Sequence, residues 1–140
     1  MSEVEKNKAT VLRFLDLAEA GEDIFPLLSE EVEWFVPGSW ELAGTYRKDE
    51  LADVFGLVLS DLTHPPVFTI HSVTAEDNRV AVHARSRSTF KDGEAFESTY
   101  HFLFHLDSGK ITRVFEYNDT DYMSRLVKRR FPKGLGQRAG

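Results

Sequence analysis

The chain has 140 residues, 41% hydrophobic and 29% charged, with a formal net charge of −6. That length and balance describe one globular domain able to bury its own core, and they exclude wholesale disorder. The acidic balance argues against a nucleic-acid footprint, and the absence of cysteine excludes disulfides, thiolate metal sites and a cysteine nucleophile.

The first residues, with Glu3, Glu5, Lys6 and Lys8, contain no apolar core of a signal peptide, and no apolar run approaches a membrane span. A cytoplasmic protein with no membrane partner is expected. Val4, Val11, Leu12, Leu15 and Ala18 recur at helical spacing until Gly21, so residues 3–20 read as an amphipathic helix. Asp23–Ser29 reads as a second, short helix that tolerates Pro26 in its first turn. Glu31–Val36 alternates and is rich in β-branched and aromatic residues, so it reads as a strand ended by Pro37-Gly38. Gly38 to Arg47 reads as loop, carrying Trp40, Gly44 and Tyr46.

Leu51, Val54, Phe55, Val58, Leu59 and Leu62 form a continuous apolar stripe, and Asp49 and Glu50 suit the first turn of that helix. Thr63-His64-Pro65-Pro66 ends it. Beyond this point the pattern changes to period two. Val67–Ala75, Arg79–Phe90, Glu94–Leu106 and Ile111–Asn118 read as four strands joined by short polar turns, an antiparallel meander. Gly109 supplies the positive φ that the last of these turns requires. Tyr122–Lys128 reads as a short helix capped by Asp119, Thr120 or Asp121. Lys128-Arg129-Arg130 reads as the solvated basic end of that helix. Residues 131–140 read as a flexible basic tail beyond a single domain of residues 1–130. The fold class is α+β: a curved antiparallel sheet forming a half-open cone against N-terminal helices, with an internal apolar pocket.

The order helix, helix, strand, helix, four-strand meander resembles the nuclear transport factor 2-like fold over almost the whole chain. The local text is similar to its SnoaL-like branch: Trp34-Phe35-Val36-Pro37-Gly38-Ser39, Ala43-Gly44-Thr45-Tyr46-Arg47, Gly109-Lys110-Ile111 and Glu116-Tyr117-Asn118-Asp119-Thr120. That family includes ketosteroid isomerases, polyketide cyclases, epoxide hydrolases and dehydratases, besides members that bind or assemble without catalysis. The resemblance implies a deep pocket between sheet and helices, and a homodimer through the outer face of the sheet. Glu116 falls where the epoxide hydrolases place an acid on the last strand. The Arg-x-Asp of those enzymes has no acid in Val82–Arg87, and Val36 stands where ketosteroid isomerases carry their Asp.

Alternation groups Thr112, Val114, Glu116 and Asn118 on one face of their strand. A carboxyl on an apolar face is desolvated, which raises its pKa and poises it for proton transfer. Glu116 is therefore the expected acid–base group, with His101 as its partner. His101, Leu103 and His105 share one face and Tyr100, Phe102, Phe104 and Leu106 the other, so only one of His101 and Tyr100 faces inward. Phe14, Trp34, Trp40, Tyr46, Phe55, Leu59, Tyr100 and Asn118 are the expected substrate contacts. No metal and no cofactor is expected, because the five histidines show no metal-ligand spacing and no phosphate-binding loop is present. The expected function is binding of a small apolar organic ligand. Cofactor-free isomerisation, cyclisation or dehydration follows if the protein is an enzyme; the alternative is a non-catalytic ligand-binding or assembly module.

Overall fold

Ser2 accepts a hydrogen bond from the Glu5 amide at 3.1 Å and starts helix α1 (Glu3–Ala20), which buries Val11, Phe14 and Leu15 along one stripe. The computed structural model describes residues 1–133. After α1, the segment expected to be a short helix makes only a single 3₁₀ turn (Phe25–Leu27). The chain is already extended at Leu28, so β1 (Leu28–Val36) is longer than the alternation showed. The loop after it contains a three-residue strand, β2 (Gly44–Tyr46), which pairs antiparallel with the end of β1.

Helix α2 (Lys48–Ser60) follows, its first turn tied by the Arg47 amide donating to Glu50 at 2.9 Å. Strands β3 (Val67–Glu76), β4 (Arg79–Thr89), β5 (Ala95–Asp107) and β6 (Lys110–Asn118) form the meander. The β5–β6 turn has positive φ at Ser108 and Gly109, the backbone that a two-residue hairpin on twisted strands requires. Helix α3 (Thr120–Arg130) is capped by Asp119, whose carboxylate accepts from the Tyr122 amide at 3.2 Å. Residues 134–140, with Gly134 and Gly136 of the expected tail, lie outside the described residues.

The six strands form one mixed sheet in the order β2-β1-β6-β5-β4-β3, which does not close into a barrel. All pairs are antiparallel except β1 with β6, which run parallel. Register shifts at Ile70/Ser72, His105/Leu106 and Leu28/Glu33 bend the strands. The inward row of β4 and β5 (Val80, Val82, Ala84, Phe102, Phe104) packs on α1 and β1 as the main core. A smaller cluster of Leu62, Phe90, Phe96, Met123 and Leu126 sits under α3.

Arg130 anchors that second cluster instead of ending a solvated helix. Its guanidinium lies 3.6 Å from the centroid of the Phe90 ring and bonds Asp61, Asp92 and Glu94, with only 9% of the side chain exposed. The run of basic residues suits the C-terminal end of a helix dipole, but the tertiary position of Asp61, Asp92 and Glu94 buries its last member.

Candidate functional site

Helix α2 buries only Leu51 of its apolar stripe in the core. Val54, Phe55, Val58 and Leu59 instead face a cavity of about 410 Å³ enclosed by α1, α2 and the concave side of the sheet. Phe14, Trp34, Trp40, Tyr46, Phe55, Leu59 and Tyr100 all line it. Trp34 and Tyr46 are nearly inaccessible, whereas Leu59, 43% exposed, and the exposed Gly21, Glu22 and Asp23 are lining residues that also reach the surface. The Tyr46 hydroxyl donates to Leu42 O at 2.6 Å and the Trp40 indole to Pro37 O at 3.0 Å, so both present rings to the interior while their polar tips are held by backbone.

Glu116 projects from β6 into this apolar wall. Trp34 Nε1 donates to Oε1 at 3.0 Å and Asn118 Nδ2 donates to Oε2 at 2.9 Å. Burial pushes the carboxyl above its ordinary range; the bonds from Asn118 and Trp34 pull it down without offsetting that effect. Among the described residues no lysine, arginine or histidine lines the cavity to hold the carboxylate in its charged form. Asn118 is not itself part of the lining; it acts on the site through Glu116.

His101 is not brought to Glu116. Phe102 is the β5 residue opposite Glu116, and His101, one position earlier, points to the outer face opposite Tyr117. Strand alternation makes the exchange unavoidable: seating Phe102 and Phe104 in the core sends His101 and Leu103 outward. On that outer face His101 is exposed and stacks on His83 at 6.2 Å, and His83 in turn lies 4.9 Å from His71. No group of three or more His, Cys, Asp or Glu among the described residues is arranged to hold a metal ion. His83, Arg85 and Arg87 are exposed, as a polar row on a sheet surface should be.

Tyr100 takes the inward place that His101 does not. Burial, and then the charge of Glu116, raise its phenol pKa, while the side chains of Ser98 and Ser86 oppose that rise. The tyrosine therefore stays protonated through the neutral range. Ser86 and Ser98 were not singled out by sequence reasoning. The signal was present in the inward row Val80, Val82, Ala84, Ser86, Ser88, where hydroxyls follow aliphatic side chains on one face of β4.

A family model described as a SnoaL-like domain matches residues 11–114. The chain belongs to the SnoaL-like family. No curated protein matches it by sequence. Its fold is shared by PrhC from Penicillium brasilianum NBRC 6234, at 14% identity over 97% of this chain and 95% of that one, with a TM-score of 0.83. Bal32a from a soil-derived mobile gene cassette is 20% identical over 89% and 98% of the two chains, with a TM-score of 0.77. TerC, co-crystallised with polyporic acid, is 19% identical over 88% and 98%, with a TM-score of 0.74. At these identities the structural neighbours establish the SnoaL-like, nuclear transport factor 2-like fold, while the chemistry has to be argued from the cavity. Among the described residues no helix is long and apolar enough to cross a membrane.

Proposed function

We propose that this SnoaL-like protein is a cofactor-free enzyme that moves a proton within a small polyketide-, terpenoid- or steroid-like molecule, by isomerisation, cyclisation or dehydration, with Glu116 as the acid–base group. The observation that carries the reading is a carboxyl bonded at both oxygens, by Trp34 and Asn118, in the wall of a largely apolar cavity. Those two donors fix the plane of the carboxylate and leave a free lone pair on each oxygen. A C–H or O–H of the ligand loses its proton to one of them. The resulting acid returns the proton to a second ligand atom, or to a departing hydroxyl that leaves as water. Burial raises the basicity of Glu116 toward the neutral range where such transfers are fastest. That TerC, a protein of the same fold, was co-crystallised with polyporic acid supports a small-molecule ligand for this chain.

The test uses 5-nitrobenzisoxazole, whose ring opens when a single carbon-bound proton is removed. Turnover by the wild-type protein that rises with pH through the Glu116 titration and disappears in Glu116→Gln is the expected result. Turnover that is equal in the variant would remove Glu116 from the reading and leave the cavity as a binding site.

The same reading includes a homodimer through the outer sheet face. Phe35 and Phe115 stack there at 4.7 Å and Tyr117 is 53% exposed, an aromatic surface that a second copy would cover.

A further inference from the structure

We propose that Tyr100, backed by Ser86 and Ser98, forms a second subsite in the cavity that donates a hydrogen bond to a neutral carbonyl oxygen of the ligand. The inference deepens the small-molecule reading above and rests on it. Ser86 on β4 and Ser98 on β5 are direct register partners, and both side chains are inward and almost inaccessible, at 1% and 3%. Among the described residues neither Oγ has a hydrogen-bond partner. A buried hydroxyl without a partner is costly, and the aliphatic row Val80, Val82 and Ala84 on the same strand shows that packing alone would be satisfied by carbon.

The group beside both serines is the Tyr100 phenol, whose ionisation they influence. Tyr100 and Ser86 also line the cavity. A serine proton turned toward the phenol oxygen commits that oxygen as acceptor and leaves the phenol proton for the cavity. An array of this kind is completed by an acceptor atom on the ligand. The acceptor draws the phenol proton into the cavity, and the phenol oxygen is then free to accept from a serine hydroxyl, the partner those hydroxyls otherwise lack.

The surroundings narrow the chemistry of that acceptor. Among the described residues, the charged members of the lining are Glu22, Asp23 and Glu116, all acidic, with no cation to pair an anionic oxygen. The acceptor is therefore neutral, a ketone or quinone-type carbonyl. Tyr100 opposes Asn118 while Phe102 opposes Glu116, so Tyr100 lies one inward step from the carboxyl. Such a step is about 7 Å. The atom held by Tyr100 and the atom that exchanges a proton with Glu116 are thus different atoms, about one ring apart. The class of ligand is an apolar ring system that carries a carbonyl away from its reacting position.

Calorimetric titration with 2-acetylnaphthalene and with 2-ethylnaphthalene, which lacks the carbonyl oxygen, tests the subsite without any turnover. The wild-type protein should bind the acetyl compound about tenfold more tightly. Tyr100→Phe should abolish that preference, and Ser86→Ala/Ser98→Ala should reduce it severalfold. Both variants should leave 2-ethylnaphthalene binding within about twofold, which also reports that they are folded. Equal affinity of the two compounds for the wild type, or a preference that survives Tyr100→Phe, overturns the subsite and leaves the Glu116 reading standing. Equal weakening of both compounds in the variants assigns these residues to packing and overturns it too. Failure of the wild type to bind either compound overturns the cavity reading itself, and the subsite with it.

Discussion

Trp34 and Glu116, 82 residues apart in sequence, are joined by a 3.0 Å hydrogen bond from the indole to the carboxylate. The bond exists because β1 and β6 run parallel side by side, with Trp34 in register with Val114, the inward residue just before Glu116. Trp34→Phe keeps an aromatic ring in the core and removes the donor. The Glu116 pKa should then rise further, because a bond that lowers it is gone. Carboxyl NMR titration of both proteins checks this, and an unchanged or lower value would show that the indole does not act on Glu116. The lost ring volume and bond should also cost about 1–2 kcal/mol of stability.

Glu116 should make the protein less stable as pH rises. Its folded pKa lies above the ordinary 4.5, so between the two values the folded state holds more proton than the unfolded one. Stability then falls with rising pH across that window and is level beyond it. Glu116→Gln removes the titration; Asn118, whose Oδ1 has no partner, can turn its amide to accept from the new side chain. The variant should match wild type in acid and exceed it at neutral pH. Urea unfolding across a pH series measures the gap, and a constant gap would contradict a desolvated carboxyl.

Gly38 has φ of 112°, and a Cβ built there would meet Trp40 Cδ1 at 2.9 Å. Gly38→Ala combines backbone strain with a displaced indole and should cost about 1–3 kcal/mol. Because Trp40 lines the cavity, binding of 2-ethylnaphthalene should weaken along with the midpoint of thermal unfolding. Lower stability with unaltered binding would mean that Trp40 does not shape the cavity.

Arg130→Met should destabilise the protein by on the order of 2 kcal/mol, from the lost stacking on Phe90 and the release of α3 from the turn that carries Asp92 and Glu94. Arg130→Lys should recover little of this, since one ammonium does not reproduce a planar fork that reaches three carboxylates. Thermal unfolding of the two variants separates the geometry of the guanidinium from its charge.

If the outer sheet face joins two copies, Tyr117→Glu should shift the protein to monomer in sedimentation while its cavity still binds 2-ethylnaphthalene. The side chain is outward and half exposed, so the substitution disturbs no core contact within the chain. A wild-type protein that sediments as a monomer at all concentrations would remove the dimer.

Local pattern in the sequence was enough to establish the helix 3–20, the four-strand meander, the grouping of Glu116 with Val114 and a helix along the stripe from Leu51, because backbone period and turn residues act over a few neighbours. Helix α2 stops at Ser60, and Leu62, expected to continue its stripe, instead bridges to Phe90. The same alternation divided Tyr100 from His101 but did not say which of them faces inward. Only the packing of α1 and α2 on one side of the sheet decides that, and it selects the face with Phe102 and Phe104. The strand β2 escaped notice because three residues carry too little periodicity to read, and Arg130 looked solvated because its three carboxylates come from other parts of the chain. The candidate site itself is non-local: the parallel pairing of β1 with β6 brings Trp34 to Glu116, and the β4–β5 register brings Ser86 to Ser98 beneath Tyr100. Alternation names the residues available to each face; their meeting in one cavity is decided by strand order and by the helices that cover it.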